Sequence, residues 1–278
     1  MSIQKSLRLS LVLMACLPLI FLTIFTYNLS YKKYMDLATQ STVELAKNYG
    51  MGFQSQLNSQ IAEVEGLANG TNIQNLVLEN YNGVTLGNDS PYYTNVTDLF
   101  ATASDYAGNN VNYYLYDVNG YYITSSDNTN TDDWQEHMAI PVEDITETKI
   151  LQCSPLDEIE SIDVVSPIII KSQIVGLIRA NITSRYFGSF IPEDGSAFIM
   201  TNDGGYLFTS TGLTGQRELE TQAFNCLNGA DNAKDYGHLK ASSFKNIYGF
   251  CKLSDSNWLY LIKQQGTQYQ QILATLPI

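Results

Sequence analysis

Thirteen residues, YLYDVNGYYITSS (Tyr114–Ser126), are echoed further along the chain by IMTNDGGYLFTST (Ile199–Thr211). Each copy is a short apolar-aromatic run, an Asx-Gly turn, and a second run that leads into Thr-Ser. That is the signature of a β-hairpin, because Asn and Gly tolerate the backbone angles of a tight turn. With Gly120 and Gly205 taken in register, the offset is 85 residues, from 120 to 205. A hairpin written twice predicts two similar β units in tandem.

The rest of the pattern supports this. Val111–Asp117 and Tyr121–Ser126 flank the first turn. Lys149–Ser154 reads as a strand. Ile162–Lys171 and Ile174–Thr183 form another hairpin. The second unit repeats the order, with Ala197–Thr201 and Tyr206–Ser210, a helix over Gly215–Leu227, then three strands in DYGHLKASS, IYGFCKL and NWLYLIKQ. In Val111–Tyr116 one face carries Val111, Tyr113 and Leu115, and the other carries Tyr114 and Tyr116. With apolar groups on both faces, the sheet must be covered on both. A long helix can cover one side. The segment that follows the first hairpin can cover the other and leave a pocket beneath it.

That helix is legible upstream. Leu37, Ser41, Leu45, Tyr49, Phe53, Leu57, Ile61, Val64 and Ala68 recur at spacings of three and four, so residues 30–68 read as a stalk helix. Shorter helices are expected over Asn72–Tyr81 and Tyr93–Tyr106. Before the stalk, Leu9–Leu29 runs without a charge, long enough as a helix to cross a hydrocarbon core of about 30 Å. It is too long for a signal peptide and has no small-x-small cleavage site. A lipoprotein signal ending at Cys16 would leave a second apolar run at the mature terminus. An uncleaved anchor is the better reading. Lys5 and Arg8 favour a cytoplasmic N-terminus (1–8), although Lys32 and Lys33 pull the other way. Residues 269–278 read as the start of a second membrane helix, which would place the body outside the cytoplasm.

Charge narrows the partners. The net charge is −13, and all 28 acids lie after residue 33. Such a body repels phosphate backbones, which excludes nucleic acid as a natural partner. Cys16, Cys153, Cys226 and Cys251 show no metal-ligand spacing, and a Cys226–Cys251 disulfide is left open. No cofactor motif, GxSxG elbow or phosphate loop occurs. The chain reads as a binding protein, not an enzyme.

The sequences YLYDVNGYYITSSD, IDVVSPIIIKSQIVGLIRANIT and IYGFCKLSDSNWLYLIKQ, in this order on a single N-terminal span and stalk, resemble the double Cache sensor regions of bacterial transmembrane receptors. Pro167 and Gly176 hold the fixed points of the family's middle hairpin, and Trp258 stands in its closing strand pair. The resemblance implies an α+β fold, with a transmembrane helix, a long stalk helix and two tandem PAS-like antiparallel-sheet modules. The membrane-distal module would occupy 69–192 and the membrane-proximal one 193–268. It also implies a small-molecule ligand in the distal module, under about Asp127–Ile145, and an output domain inside the cell. Chemotaxis transducers, diguanylate cyclases and histidine kinases carry such regions.

In amino-acid-binding members that segment carries Arg-x-Trp-Tyr, and a later Asp receives the ligand's amine. Trp134 matches the tryptophan and Asp157 the aspartate, but Asp132 stands at the arginine and Gln135 at the tyrosine. The clamp for a carboxylate is missing at that position, which counts against an α-amino acid. Tyr114, Tyr116, Asp132, Trp134, His137 and Asp157 are therefore the candidate ligand-binding residues. Carboxylates can hold an ammonium through charge-assisted hydrogen bonds, and the rings can add cation–π faces. An amine or other cationic metabolite is the expected ligand. Homodimerisation through the stalk is expected. An adhesion or envelope-interaction module is the alternative reading of two repeated β units.

Overall fold

The computed structural model describes residues 3–83, 90–127, 144–152, 161–191, 196–208, 216–228, 235–240 and 246–265. One helix, α1 (Ile3–Ala68), dominates. Its 66 residues make a rod of about 100 Å at 1.5 Å per residue. The expected anchor and stalk are thus one continuous helix, with Pro18 inside it. Helices α2 (Thr71–Tyr81) and α3 (Pro91–Tyr106) follow. Ser90 caps α3, its hydroxyl accepting from the Tyr93 amide, and Pro91 stands in the first turn, where its missing N–H costs nothing.

Two antiparallel sheets then form in sequence. Sheet A holds β1 (Val111–Asp117), β2 (Tyr122–Ser125), β3 (Lys149–Gln152), β4 (Ser161–Ile170) and β5 (Gln173–Thr183), in the spatial order β2-β1-β5-β4-β3. Sheet B holds β6 (Ala197–Met200), β7 (Tyr206–Leu207), β8 (Tyr236–Leu239), β9 (Asn246–Leu253) and β10 (Trp258–Gln265), in the order β7-β6-β10-β9-β8. Helix α4 (Arg217–Asn228) lies between β7 and β8 in the chain. Renumbered strand by strand, the two orders are the same.

The repeat register needs one correction. Asp117 and Gly120 close the first turn through Gly120 N–H to Asp117 O and Asp117 N–H to Tyr121 O. Thr201 and Gly204 make the same pair of bonds in the second, with Gly205 in the place of Tyr121. Gly120 and Gly204 have φ of 82° and 86°, the left-handed region that favours glycine. The true offset is 84 residues, from 120 to 204, not the 85 obtained by pairing Gly120 with Gly205. The Asn-Gly and Asp-Gly steps are what align. Gly205 is a second glycine that the sequence could not tell apart from the turn residue.

Both sheets pack one face on α1. Ala38, Thr42, Ala46 and Gly50 form the N-terminal part of its buried stripe, and Phe53, Leu57, Val64 and Ala68 the C-terminal part. The small residues bring sheet B very close. A Cβ placed on Gly249 would lie 2.5 Å from the Thr42 carbonyl oxygen. Gly50 and Gly52, two of the three glycines in the stalk, also allow close approach. Gly50 packs on Cys251, and a Cβ on Gly52 would lie 2.2 Å from the Phe190 ring. Farther up, Gln60 donates to the Tyr113 hydroxyl at 2.7 Å. Burial, reinforced by the Glu63 charge, pushes the Tyr113 hydroxyl well above its ordinary pKa, so it stays neutral. Phe53, Phe187 and Phe208 close the junction between the two units, with the Phe53 and Phe187 centroids 4.5 Å apart.

Cys226 and Cys251 are free thiols. Cys251 packs with the α1-facing core of sheet B and Cys226 with the core on the opposite face, so they cannot bond. Cys153 lies outside the described residues. Among the described residues, no helix is long and apolar enough to cross a membrane. The side chains of residues 1–13 and of Ala15, part of the expected span, lie outside the described residues, as do residues 269–278. From Met14 to Leu29 the large apolar side chains point outward, with Phe21 73% exposed.

Candidate functional site

Strands alternate their side chains, so the face of sheet A opposite α1 is fixed by register. On β1 that face takes Tyr114 and Tyr116. Tyr114 stands opposite Arg179 of β5, and Tyr116 opposite Leu177. On β4, Val165 stands opposite Arg179, and Asp163 opposite Asn181. Ser125 and Tyr122 come from β2, and Leu151 from β3.

The centre of this face is charged and buried. Arg179 Nε lies 2.9 Å from Asp163 Oδ2, and their side chains are only 12% and 6% exposed. The other Asp163 oxygen accepts from Asn181 Nδ2 at 2.9 Å. The Arg179 guanidinium sits over the Tyr114 ring, 5.0 Å from its centroid, and reaches the Tyr116 hydroxyl at 3.4 Å. Tyr114 and Tyr116 are stacked at 6.5 Å, and Tyr122 meets Tyr116 edge-on. At the β2 end, Asp127 accepts from the Ser125 hydroxyl at 2.7 Å and from the Tyr114 hydroxyl at 3.4 Å. Tyrosine rings, two carboxylates, an amide and one guanidinium therefore line a single patch.

Of the six expected residues, the structure brings Tyr114 and Tyr116 together on this face. Asp132, Trp134, His137 and Asp157 lie outside the described residues. Arg179 and Asp163 are the residues that sequence reading missed. The hairpin pattern alone could not have found them. Pairing strands outward from the turn at Lys171 and Ser172 would set Asp163 opposite Ala180, and it is the register shift between Ile168 and Ile169 that sets it opposite Asn181, one diagonal step from Arg179.

Sheet B offers nothing comparable at the equivalent positions. Phe198 and Leu261 stand opposite each other where sheet A has Tyr114 and Arg179. Tyr248 and Phe250 take the places of Asp163 and Val165. These side chains are buried with Met200, Leu219, Ala223 and Leu227 in one apolar cluster under α4. A separate groove of about 810 Å³ runs between α1 and the edge strand β8, lined by Asp36, Glu44, Lys47, Tyr236 and His238 among others. Lys47 lies 4.5 Å above the Tyr236 ring there. Asp36, Glu44, Tyr236 and His238 are exposed, and no buried polar side chain converges on the groove. The sheet A face is the better candidate.

No family profile matches the chain, and no characterised protein matches it by sequence. Solved structures do match its fold. The extracellular domain of the candidate histidine kinase vpHK1S-Z8 aligns over 88% of this chain and 97% of that one, with a TM-score of 0.60 and 9% identity. The ligand-binding domain of the Campylobacter jejuni chemoreceptor Tlp3, solved with L-norvaline, aligns over 88% and 96%, with a TM-score of 0.54 and 16% identity. That of the Pseudomonas fluorescens chemoreceptor CtaA, solved with L-leucine, aligns over 87% and 99%, with a TM-score of 0.52 and 14% identity. At these identities the likeness is one of architecture. This chain has the fold of the double Cache sensor regions that its sequence resembles.

Proposed function

We propose that this chain is the extracytoplasmic sensing region of a bacterial transmembrane receptor, and that it binds a small cationic molecule on the distal sheet. One observation carries the reading. The distal sheet buries a charged, tyrosine-lined face, whereas the equivalent proximal face is an apolar core. Desolvating an ion pair costs about as much as its mutual attraction returns, so packing alone gives no reason to bury one here. Asp127 and Asp163 supply carboxylates on that face, and Asp132, Asp133 and Asp157 belong to the segments adjoining it in sequence. Trp134 and His137 complete the proposed ligand contacts. Tlp3 and CtaA carry amino acids in their binding domains, which supports a small-molecule ligand here.

The module binds; it does not catalyse. Leu9–Leu29 is the proposed anchor, supported by its outward apolar side chains from Met14 onward. Residues 269–278 begin the proposed second span, leading to a cytoplasmic output domain such as a chemotaxis transducer, diguanylate cyclase or histidine kinase. Exposed Leu37 and Met51 on α1 support stalk pairing in a homodimer. Titration calorimetry of the chain in non-ionic detergent against amines, amino acids and carboxylates tests the ligand class. Heat from cationic compounds is expected. Heat from anions alone would sink the reading.

A further inference from the structure

The distal face already holds a cation of its own. The Arg179 guanidinium makes the three contacts that a bound ammonium would use, namely a carboxylate (Asp163), a ring face (Tyr114) and a hydroxyl (Tyr116). Stability does not account for it. The equivalent positions in sheet B are filled by Leu261 and Tyr248, and the sheet there is fully packed. A buried ion pair is generally no more stable than an apolar pair of similar volume.

We propose that Arg179 is a tethered occupant of the cation position on sheet A, and that a ligand's amine binds by displacing its guanidinium from Asp163 and Tyr114. This rests on the amine reading above. The exchange keeps Asp163 paired with a positive charge before and after, so no buried carboxylate is left bare. Asp127 is hydrogen-bonded to the hydroxyl end of the same tyrosine. It is a carboxylate in the same cluster that can receive the displaced guanidinium. The tether acts as a competing ligand. A bare ammonium gains nothing over it, and only a molecule with further contacts binds, which makes Arg179 a specificity-determining residue.

Displacement also has a route outward. Strand β5 runs from Arg179 into the Ser184–Phe187 turn, where the Tyr186 carbonyl accepts from Gln56 of α1 at 3.0 Å. Phe190 then fills the notch at Gly52. A ligand that frees Arg179 can bias α1 only by its differential affinity for the two arrangements.

Chemical rescue tests the tether. The 278-residue chain and its Arg179→Ala variant are titrated in non-ionic detergent with ethylguanidinium chloride and ethylammonium chloride, with sodium propionate as control. Arg179→Ala is expected to bind ethylguanidinium saturably, at least tenfold more tightly than the unsubstituted chain, and to regain lost melting temperature with it. The gain should vanish in Arg179→Ala/Asp163→Leu. No gain in Arg179→Ala, or a gain that survives loss of Asp163, overturns the proposal. If Arg179→Ala does not fold, Arg179→Gln takes its place with the same expectations. An amine that binds the unsubstituted chain with an affinity unchanged by Arg179→Ala overturns the displacement and leaves the amine reading standing. Rescue of the variant, with no amine binding the unsubstituted chain, removes the amine reading and the displacement together.

Discussion

Sheets A and B are one strand order used twice, and they differ most on the face turned away from α1. In sheet A that face centres on Tyr114, Arg179 and Asp163; in sheet B the same three places hold Phe198, Leu261 and Tyr248. Both faces are buried, so exposure does not explain the difference. The lesson is that a repeated scaffold can keep an apolar core in one copy and bury a charged, tyrosine-lined face in the other. The α1-facing sides stay alike in kind, because both must fit a single helix.

The most disruptive way to break this comparison is to write sheet A's charge into sheet B. Leu261→Arg would bury a cation among Phe198, Met200 and Phe250, where no described residue of the unit buries a carboxylate. A loss of about 5 kcal/mol or failure to fold is expected in urea unfolding. Adding Tyr248→Asp should recover part of that loss. Full tolerance of the single change would mean that the two faces are not as different as their side chains imply.

Next in size is Asp163→Asn, which leaves Arg179 buried without its counter-charge. It should cost about 3–5 kcal/mol, whereas Arg179→Leu with Asp163→Leu should be near neutral or stabilising while removing ligand binding. Thermal unfolding paired with calorimetry separates the two effects. A double variant as unstable as the single one would show that the pair is structural.

Smaller still is Tyr248→Phe, on the packing face. Tyr248 and Gln216 exchange hydrogen bonds at 3.0 and 3.1 Å. Losing them should cost about 1 kcal/mol and leave binding at the distal sheet unchanged. A change in ligand affinity would couple the two faces in a way that the fold does not suggest.

The smallest effect lies in the second hairpin turn. The Thr201 hydroxyl and the Gly205 amide hold the exposed Asp203 carboxyl below its ordinary range. A depressed folded-state pKa adds stability above the unfolded value of about 3.9, and that stability fades as pH falls through the folded value. Asp203→Asn should therefore flatten a slight acid-side slope in melting temperature below about pH 4. Water screens so exposed a group, so a large slope change would be unexpected.

The sequence determined the elements. The aromatic-aliphatic run before the Asx-Gly turn gave β1 its boundaries at Val111 and Asp117, three-and-four spacing gave the helix through Ala68, and the Asx-Gly turns marked the repeat. These are local signals, set by backbone angles and side-chain period. It also placed Tyr114 and Tyr116 in the candidate site, because aromatic residues on both faces of one strand imply cover on both. Tertiary structure alone decided three things. It set the repeat offset, since only the turn hydrogen bonds distinguish Gly204 from Gly205. It put Cys226 and Cys251 on opposite faces of one sheet. And it joined Arg179 to Asp163 and Tyr114, because a charge inside IVGLIRANIT has no assigned partner until three strands are brought into register around it.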